Sequence, residues 1–312
     1  MKAIPRNRAL GELFAATLFW GFGYVATVWA IEIVTAVELT FLRFLVGGLF
    51  ALFFVRSFRM DPERFFRLLR LSFWPGLFMA IFLTTQTVGL KYTTAVNSTF
   101  ITSLYVVITP FFEWAFLKQR SHPIFLAYAA LSLLGVGFIV QSSFEAQWSP
   151  LSWIGDGLTL VTAIFCAAHL IYVGQVWSKI QRPFLFNALQ SFWAGLFLLP
   201  LLIGEIWMNG GSALSGLFAT GSQVSFKAAF GFFSLVFGST VLAFFLQIRA
   251  QSVLSPSLTS LVCLLESPLA LIFALLLLSQ PFGLWSFIGA VLIFASAVGA
   301  TWSDSKIRAS GE

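Results

Sequence analysis

Three side chains of this chain are placed where chemistry is expensive. Glu266 lies about ten residues into an apolar run, hence about 15 Å deep if that run is a helix. A carboxylate at that depth must face a cavity, hold a partner or carry a proton. Two readings stand: a proton- or substrate-coupling carboxylate, or a structural group that hydrogen-bonds the backbone beside Pro268. Arg43 sits in the first turns of another apolar run, where its stem can snorkel outward toward Glu38 or Glu32. The alternative is an anion-binding guanidinium at the mouth of a cavity. His169 shares a stripe with Thr159, Thr162 and Cys166, because steps of three and four residues return to one face of a helix. That face is expected to turn toward a cavity. With His122 in a loop, His169 has no second imidazole for a metal site, and a bond to a neighbouring helix is a commoner role than a proton relay. Glu113, close to Lys118 and Arg120, reads as an interfacial ion-pair partner, as does Glu12 near the start of the first run.

Uncharged groups could serve a neutral or zwitterionic solute. Gln86 lies among Thr84, Thr85 and Thr87, while Asn97, Tyr105 and Gln247 sit in other apolar runs. Each is equally suited to tie one helix to the next. Trp20, Tyr24 and Tyr172 could wall a site for an apolar or aromatic ligand, although Trp and Tyr also gather at membrane interfaces. Cys166 and Cys263 belong to no CxxC pair or His/Asp cluster and so mark neither a metal nor a redox site. Gly21-Phe22-Gly23 reads as a close-packing site; no strand precedes it and no Lys follows, so it is not a phosphate loop. No catalytic set, metal set or cofactor motif emerges.

These groups need a scaffold, and composition identifies its solvent. Of 312 residues, 59% are hydrophobic and 10% charged, against about 25% charged in an average globular protein. That is too few charges to cover a soluble surface, and the apolar surplus excludes disorder. The net charge of +6 does not imply a nucleic-acid partner, since the basic residues are scattered in short loops with no basic face. Ten apolar segments, 10–30, 37–55, 71–90, 95–117, 123–141, 154–177, 184–204, 228–248, 256–278 and 283–302, each approach the ~20 residues that cross about 30 Å of hydrocarbon as a helix. Continuous runs exclude a barrel, whose strands would alternate. The expected fold is an all-α integral membrane protein of ten transmembrane helices.

Placing the N-terminus in the cytoplasm puts every basic residue except Arg43, Lys91 and Lys227 on the cytoplasmic side, which predicts that both termini are cytoplasmic. The first run resembles the later ones and is read as a retained helix rather than a signal peptide. Loops 142–153 and 205–226 are Ser/Gly/Asn-rich connectors, leaving no soluble domain. Segment 56–70 mixes Arg, Phe and Leu with acids and predicts a short helix lying on anionic headgroups.

The two halves resemble each other. One offset sets Pro110 against Pro268, Asn97 against Ser255, Thr99 against Ser257, Thr102 against Ser260, Thr109 against Ser267 and Pro123 against Pro281. Gly11-Glu12-Leu13 matches Gly155-Asp156-Gly157, and Gly48-Leu49-Phe50 matches Gly195-Leu196-Phe197. An odd number of spans per half inverts the second repeat relative to the first. Inverted repeats are the construction of many secondary transporters, whose site lies near mid-bilayer where the repeats meet.

Specific motifs accompany this plan: Phe19-Trp20-Gly21 in span 1; Leu42-Arg43-Phe44 in span 2; Gly89-Leu90-Lys91-Tyr92-Thr93-Thr94-Ala95 leading into span 4; Thr102 through Pro110 within it; Gly155-Asp156 opening span 6; and Leu265-Glu266-Ser267-Pro268 in span 9. In these the chain resembles the EamA family of the drug/metabolite transporter superfamily, with one repeat expected over 10–141 and the other over 154–302. Gln119 and Gln280 stand where family members commonly carry an acid. The resemblance implies a central cavity lined mainly by spans 1, 3, 4, 6, 8 and 9, and efflux of amino acids or related metabolites and drugs by alternating access. Uptake through the same fold and a non-transporting assembly role are the alternatives. No P-loop is present, so the expected partners are a small-molecule solute, the lipid bilayer and a proton or counter-solute. No enzyme activity and no cofactor are expected. The expected location is the cytoplasmic (inner) membrane of a bacterium-like cell.

Overall fold

A computed structural model describes residues 4–55, 61–89, 92–93, 95–118, 122–141, 152–208, 225–279 and 283–310. Among the described residues there is no strand. Nine helical stretches there are long and apolar enough to cross a membrane: Arg6–Ala30, Pro62–Gly89, Ser98–Leu117, Ile124–Gln141, Ser152–Lys179, Pro183–Met208, Phe226–Ala250, Pro256–Leu278 and Leu284–Ser310. The helix Ala36–Val55, 20 residues long, stands in the place of span 2. Helices follow from the solvent, because hydrocarbon offers backbone groups no partner except their own chain. The outer surface is correspondingly apolar: Phe53 is 72%, Leu134 62% and Trp207 85% exposed.

The expected headgroup helix is less separate from span 3 than the sequence predicts. Helix Pro62–Leu71 is capped by the Asp61 carboxylate, which accepts from the Glu63 N–H at 3.3 Å. It runs into Phe73–Gly89 with only Ser72 between them, and the Ser72 N–H still bonds to Leu68 O (2.9 Å). Residues 56–60, the first part of that segment, and the connectors 142–151 and 209–224 lie outside the described residues.

Helix contacts exchange under a five-span shift. Span 2 packs on span 7, and span 5 on span 10, each pair mapping onto itself. Contacts between spans 3 and 6 recur between spans 8 and 1, contacts of 4 with 6 recur as 9 with 1, and those of 3 with 7 recur as 8 with 2. Glycines mark the two self-paired seams. A Cβ on Gly48 would sit 2.7 Å from Phe192 N, and one on Gly195 would sit 3.2 Å from Leu45 N. The offset that relates Gly48 to Gly195 also relates Leu45 to Phe192, so the seam is two-fold. In spans 5 and 10, Gly135 approaches Gly289 O and Ile293 while Gly289 approaches Gly135 O and Ile139, again one offset for both pairs. That offset differs by one helical turn from the one that aligns Pro110 with Pro268; Pro281, the other end of the hairpin match, lies outside the described residues.

Both ends of the chain meet on one face. Arg6 reaches Asp304 at 3.1 Å and donates to Thr301 O at 2.6 Å. Arg308 pairs with the same Asp304 at 3.0 Å and donates to Val253 O at 2.7 Å. Glu12 pairs with Arg249 at 2.8 Å and with Arg8 at 2.9 Å, as expected of an interfacial acid. The residue matched to Glu12 by the duplication, Asp156, accepts from Thr93 Oγ1 at 2.5 Å across the equivalent junction.

Candidate functional site

Spans 4 and 9, read from the sequence as continuous, are each broken in mid-course. Span 4 consists of Ala95–Ser103 and Tyr105–Leu117, and span 9 of Pro256–Cys263 and Glu266–Leu278. In span 9 the cause is Pro268, which has no N–H to offer the Leu264 carbonyl one turn back. The chain tightens there into three-residue bonds, Leu265 N to Val262 O and Ser267 N to Leu264 O, each 3.1 Å. Broken spans at a repeat interface are where transporters of inverted-repeat design place their sites.

Glu266 opens the second half of span 9. Gly21 brings span 1 against it: a Cβ on Gly21 would lie 2.8 Å from Leu269 Cβ and 3.2 Å from Glu266 O. The close-packing role expected of Gly21 is therefore met at this point. Tyr24 of span 1, Tyr105 of span 4, Cys166 of span 6 and Cys263 of span 9 lie near Glu266. Tyr105 is buried and donates to Ser260 O at 3.3 Å. Tyr24 is 43% exposed. The Glu266 carboxylate accepts no hydrogen bond from a described residue, and it is partly exposed rather than sealed in protein. The alternative in which it bonds the backbone beside Pro268 is not what the geometry holds. Glu266 is thus an unbonded, partly exposed carboxylate near side chains of spans 1, 4 and 6 as well as its own.

A second polar region lies on the other side of span 1. Span 8 is wound as a π-helix over Ser234–Ala243, a rare winding frequent at functional sites. Trp20 Nε1 donates to Ser239 O (3.2 Å), and Asn187 Nδ2 donates to Thr240 O (3.1 Å) and Val241 O (2.9 Å). Arg43 does not snorkel toward Glu38 or Glu32. Its Nε donates to Thr240 Oγ1 (3.0 Å) and its Nη2 to Ser239 Oγ (3.3 Å), and no carboxylate of a described residue lies within ion-pairing distance. The physical reason is local: the Thr35 N–H occupies Glu38 (3.0 Å) and Ser225 donates to Glu32 (3.4 Å), while the distorted span 8 offers two hydroxyls nearer at hand.

His169 takes its commoner role. It is buried against Phe82 and Phe244, with Nε2 3.2 Å from Gln190 Oε1, and Gln190 donates to Asn187 Oδ1 at 2.9 Å. The span-6 stripe does not line a cavity as expected. Thr159 bonds to Gly155 O and Ser98, and Thr162 to Thr85 Oγ1 (2.9 Å) and Phe82 O, so these hydroxyls face spans 3 and 4. Of the stripe, only Cys166 reaches the Glu266 cluster. Gln247 is also a packing residue, buried and donating to Gln251 Oε1 at 2.7 Å. Tyr172 packs edge-on to Phe78 near the opposite end of the bundle from Tyr24 and does not share its wall. Gln86 remains partly exposed with no bond to a described residue. The side chain of Asn97, and Gln119 and Gln280, lie outside the described residues. Glu113 is buried, and Ser257, through both its N–H and Oγ, donates to the Glu113 carboxylate at the start of span 9.

Sequence reasoning passed over Asn187, Gln190, Ser239 and Thr240. They are short polar interruptions of apolar runs; the one available signal was that Asn187 and Gln190 are three apart and share a helix face. Among the described residues no group of His, Cys, Asp and Glu could hold a metal.

Burial differs between the two halves of the bundle. On the side of the termini, Ala9, Leu13, Val106, Ala167, Leu170, Ala250 and Leu258 form one packed core that joins five spans. On the other side of Glu266, the facing parts of spans 3, 4 and 9 are only partly buried.

Comparison with known proteins gives one family. The profile of the EamA-like transporter family matches residues 9–141 and again 153–302. An uncharacterized transporter of Archaeoglobus fulgidus is 26% identical over 288 residues, 92% of this chain and 83% of its own. The uncharacterized transporter YvbV of Bacillus subtilis is 24% identical over 220 residues, 69% of this chain and 68% of its own. A protein crystal structure superposes with a TM-score of 0.76 at 15% identity, covering 97% of this chain and 99% of that one, a likeness of fold.

Proposed function

The chain belongs to the EamA-like transporter family, and from that premise we propose that it is a secondary transporter exporting small organic metabolites, of amino-acid or related type, across the cytoplasmic membrane. The observation that carries this reading is Glu266, an unbonded and accessible carboxylate at the break of span 9. The proposed units are 10–141 and 154–302, each five spans long, moving against one another by alternating access. The solute cavity is walled by Tyr24, Gln86, Cys166 and Glu266, with Trp20 and Arg43, both bonded to span 8, at its margin. Tyr105 braces it from the buried side. The scarcity of fixed charge around it suits neutral, zwitterionic or amphipathic solutes. Packing of the terminal-side core, reinforced by Glu12–Arg249 and Arg6–Asp304, supports a state closed on that face and open on the other. The distribution of basic residues supports a cytoplasmic location for the closed face.

The direct test is a screen of labelled amino acids and related amines in proteoliposomes, with empty liposomes as the reference. Saturable exchange of a solute across the protein-bearing membrane is expected. Its absence for every solute tried, from protein shown to be folded, would favour an assembly role.

A chemical test addresses the cavity alone. A small water-soluble thiol reagent is expected to label Cys166, which is partly exposed, and to spare Cys263, which is buried. Labelling is expected to block exchange and to be slowed by transported solute. Equal reactivity of the two cysteines, or none at Cys166, would remove the proposed water-filled space.

A further inference from the structure

Away from the central site, the stretch Pro62–Gly89 is too long for its task. Its 28 residues reach about 42 Å at 1.5 Å per residue, against about 30 Å of hydrocarbon. With Gly89 at one edge of the hydrocarbon, Arg70 falls at the other, and Arg67 and Arg64 lie beyond it at headgroup depth. All three arginines are exposed, and none of their guanidinium groups makes a hydrogen bond or ion pair with a described residue. The same helix is held firmly from behind. Leu68 is buried with Phe65 and Leu69 against spans 6 and 7, and Trp193 Nε1 of span 7 donates to Leu69 O at 3.1 Å. Between this helix and span 7 opens a groove of about 210 Å³ lined by Phe66, Leu69, Arg70, Phe73 and Trp193. That volume holds about seven groups the size of a water molecule. Its walls are aromatic and aliphatic, with Phe73 set edge-on to Trp193 at 5.1 Å, and its single charge is the Arg70 guanidinium at the rim.

We propose that this groove binds one anionic phospholipid, with the phosphate held by Arg70 and Arg67 and the start of an acyl chain lying against Phe66, Phe73 and Trp193. Each half of the arrangement is suited to one half of that ligand. Guanidinium groups match phosphate oxygens with paired donors and remain charged at every physiological pH. The apolar walls give the chain a surface as good as its neighbours in the bilayer, so the headgroup decides occupancy. Unpaired cations on the interface side of a fixed helix are stabilised by an anionic lipid and gain less from a zwitterionic one, whose phosphate is offset by its own cation. Because Leu68 and Trp193 hold the helix to spans 6 and 7, an occupied groove would also brace the junction between span 3 of the first repeat and span 7 of the second.

Purified full-length chain in detergent, incubated with phosphatidylglycerol or phosphatidylcholine and observed by native mass spectrometry, tests this. One retained phosphatidylglycerol is expected at concentrations where phosphatidylcholine is not retained. Arg67→Gln together with Arg70→Gln should weaken retention about fivefold for each arginine removed, the size of effect one basic residue has near an anionic surface. Arg64→Gln, farther from the groove, should change it less than twofold. A groove-filling change, Leu69→Trp, should reduce retention with all three arginines present. Equal retention of both lipids, or equal loss from Arg64→Gln and Arg70→Gln, overturns the proposal. Displacement of the lipid by millimolar inorganic phosphate also overturns it, in favour of a soluble phosphate ligand.

Discussion

Glu266→Gln is expected to abolish solute accumulation driven by an imposed pH difference while leaving downhill exchange measurable. If the carboxylate carries the coupling proton, one-for-one exchange lets wild-type protein concentrate its solute by about tenfold for each unit of pH difference. The amide keeps the shape of the side chain but cannot take up and release a proton at the same point. The variant should therefore equilibrate its solute and stop there. The structure makes the comparison clean, because Glu266 accepts no hydrogen bond from a described residue and its replacement breaks none. Glu266→Asp, which keeps the acid but withdraws it by one methylene, should retain part of the accumulation. Parallel counterflow assays in proteoliposomes separate coupling from folding. Accumulation by the Gln variant equal to wild type would sink the coupling role, and so would a wild-type protein indifferent to the pH gradient.

The second large effect concerns packing. Gly289→Ala would place a Cβ 2.3 Å from Gly135 O and 2.9 Å from Ile139 N. Both obstacles are backbone atoms of span 5, which cannot rotate away as a side-chain tip can. Spans 5 and 10 would have to part, loosening the bond from Ser132 Oγ to Ser296 Oγ (2.7 Å), the one from Ser296 Oγ to Tyr128 O (2.7 Å) and the Tyr128–Ser303 contact (3.0 Å). A loss of about 3 kcal/mol is expected, at the upper end of overpacking effects, because the obstruction is main chain. Gly135→Ala should behave alike, its Cβ falling 2.7 Å from Gly289 O. Gly204→Ala and Gly157→Ala meet nothing within 4 Å and should gain up to about 1 kcal/mol from helix propensity. Thermal melting of the detergent-solubilised protein reads all four. Equal melting of Gly289→Ala and Gly204→Ala would show that spans 5 and 10 are not in contact.

What could be read from the sequence follows from the cost of placing groups in lipid. The length of each apolar run and the matching glycines of the two halves are one-dimensional signals, and each has its counterpart in the helices and in the paired seams. Glu266 stood out for the same reason, since an acid at that depth is costly wherever it points. Which polar residues face open space was decided only by tertiary structure. Thr159, Thr162, His169 and Gln247 are polar residues within apolar runs, as are Cys166 and Gln86, yet they spend their hydrogen bonds inside the packed bundle. Helical periodicity sorts residues onto faces but does not name the neighbour of each face. In a soluble protein hydrophobicity supplies that sign. Here lipid and protein core are equally apolar, so the sign is missing until the spans are packed. The breaks near Leu104 and Leu264, the π-winding of span 8 and the turn of Arg43 toward Ser239 and Thr240 arise in the same way, from backbone and side-chain groups that find their partners only across helices.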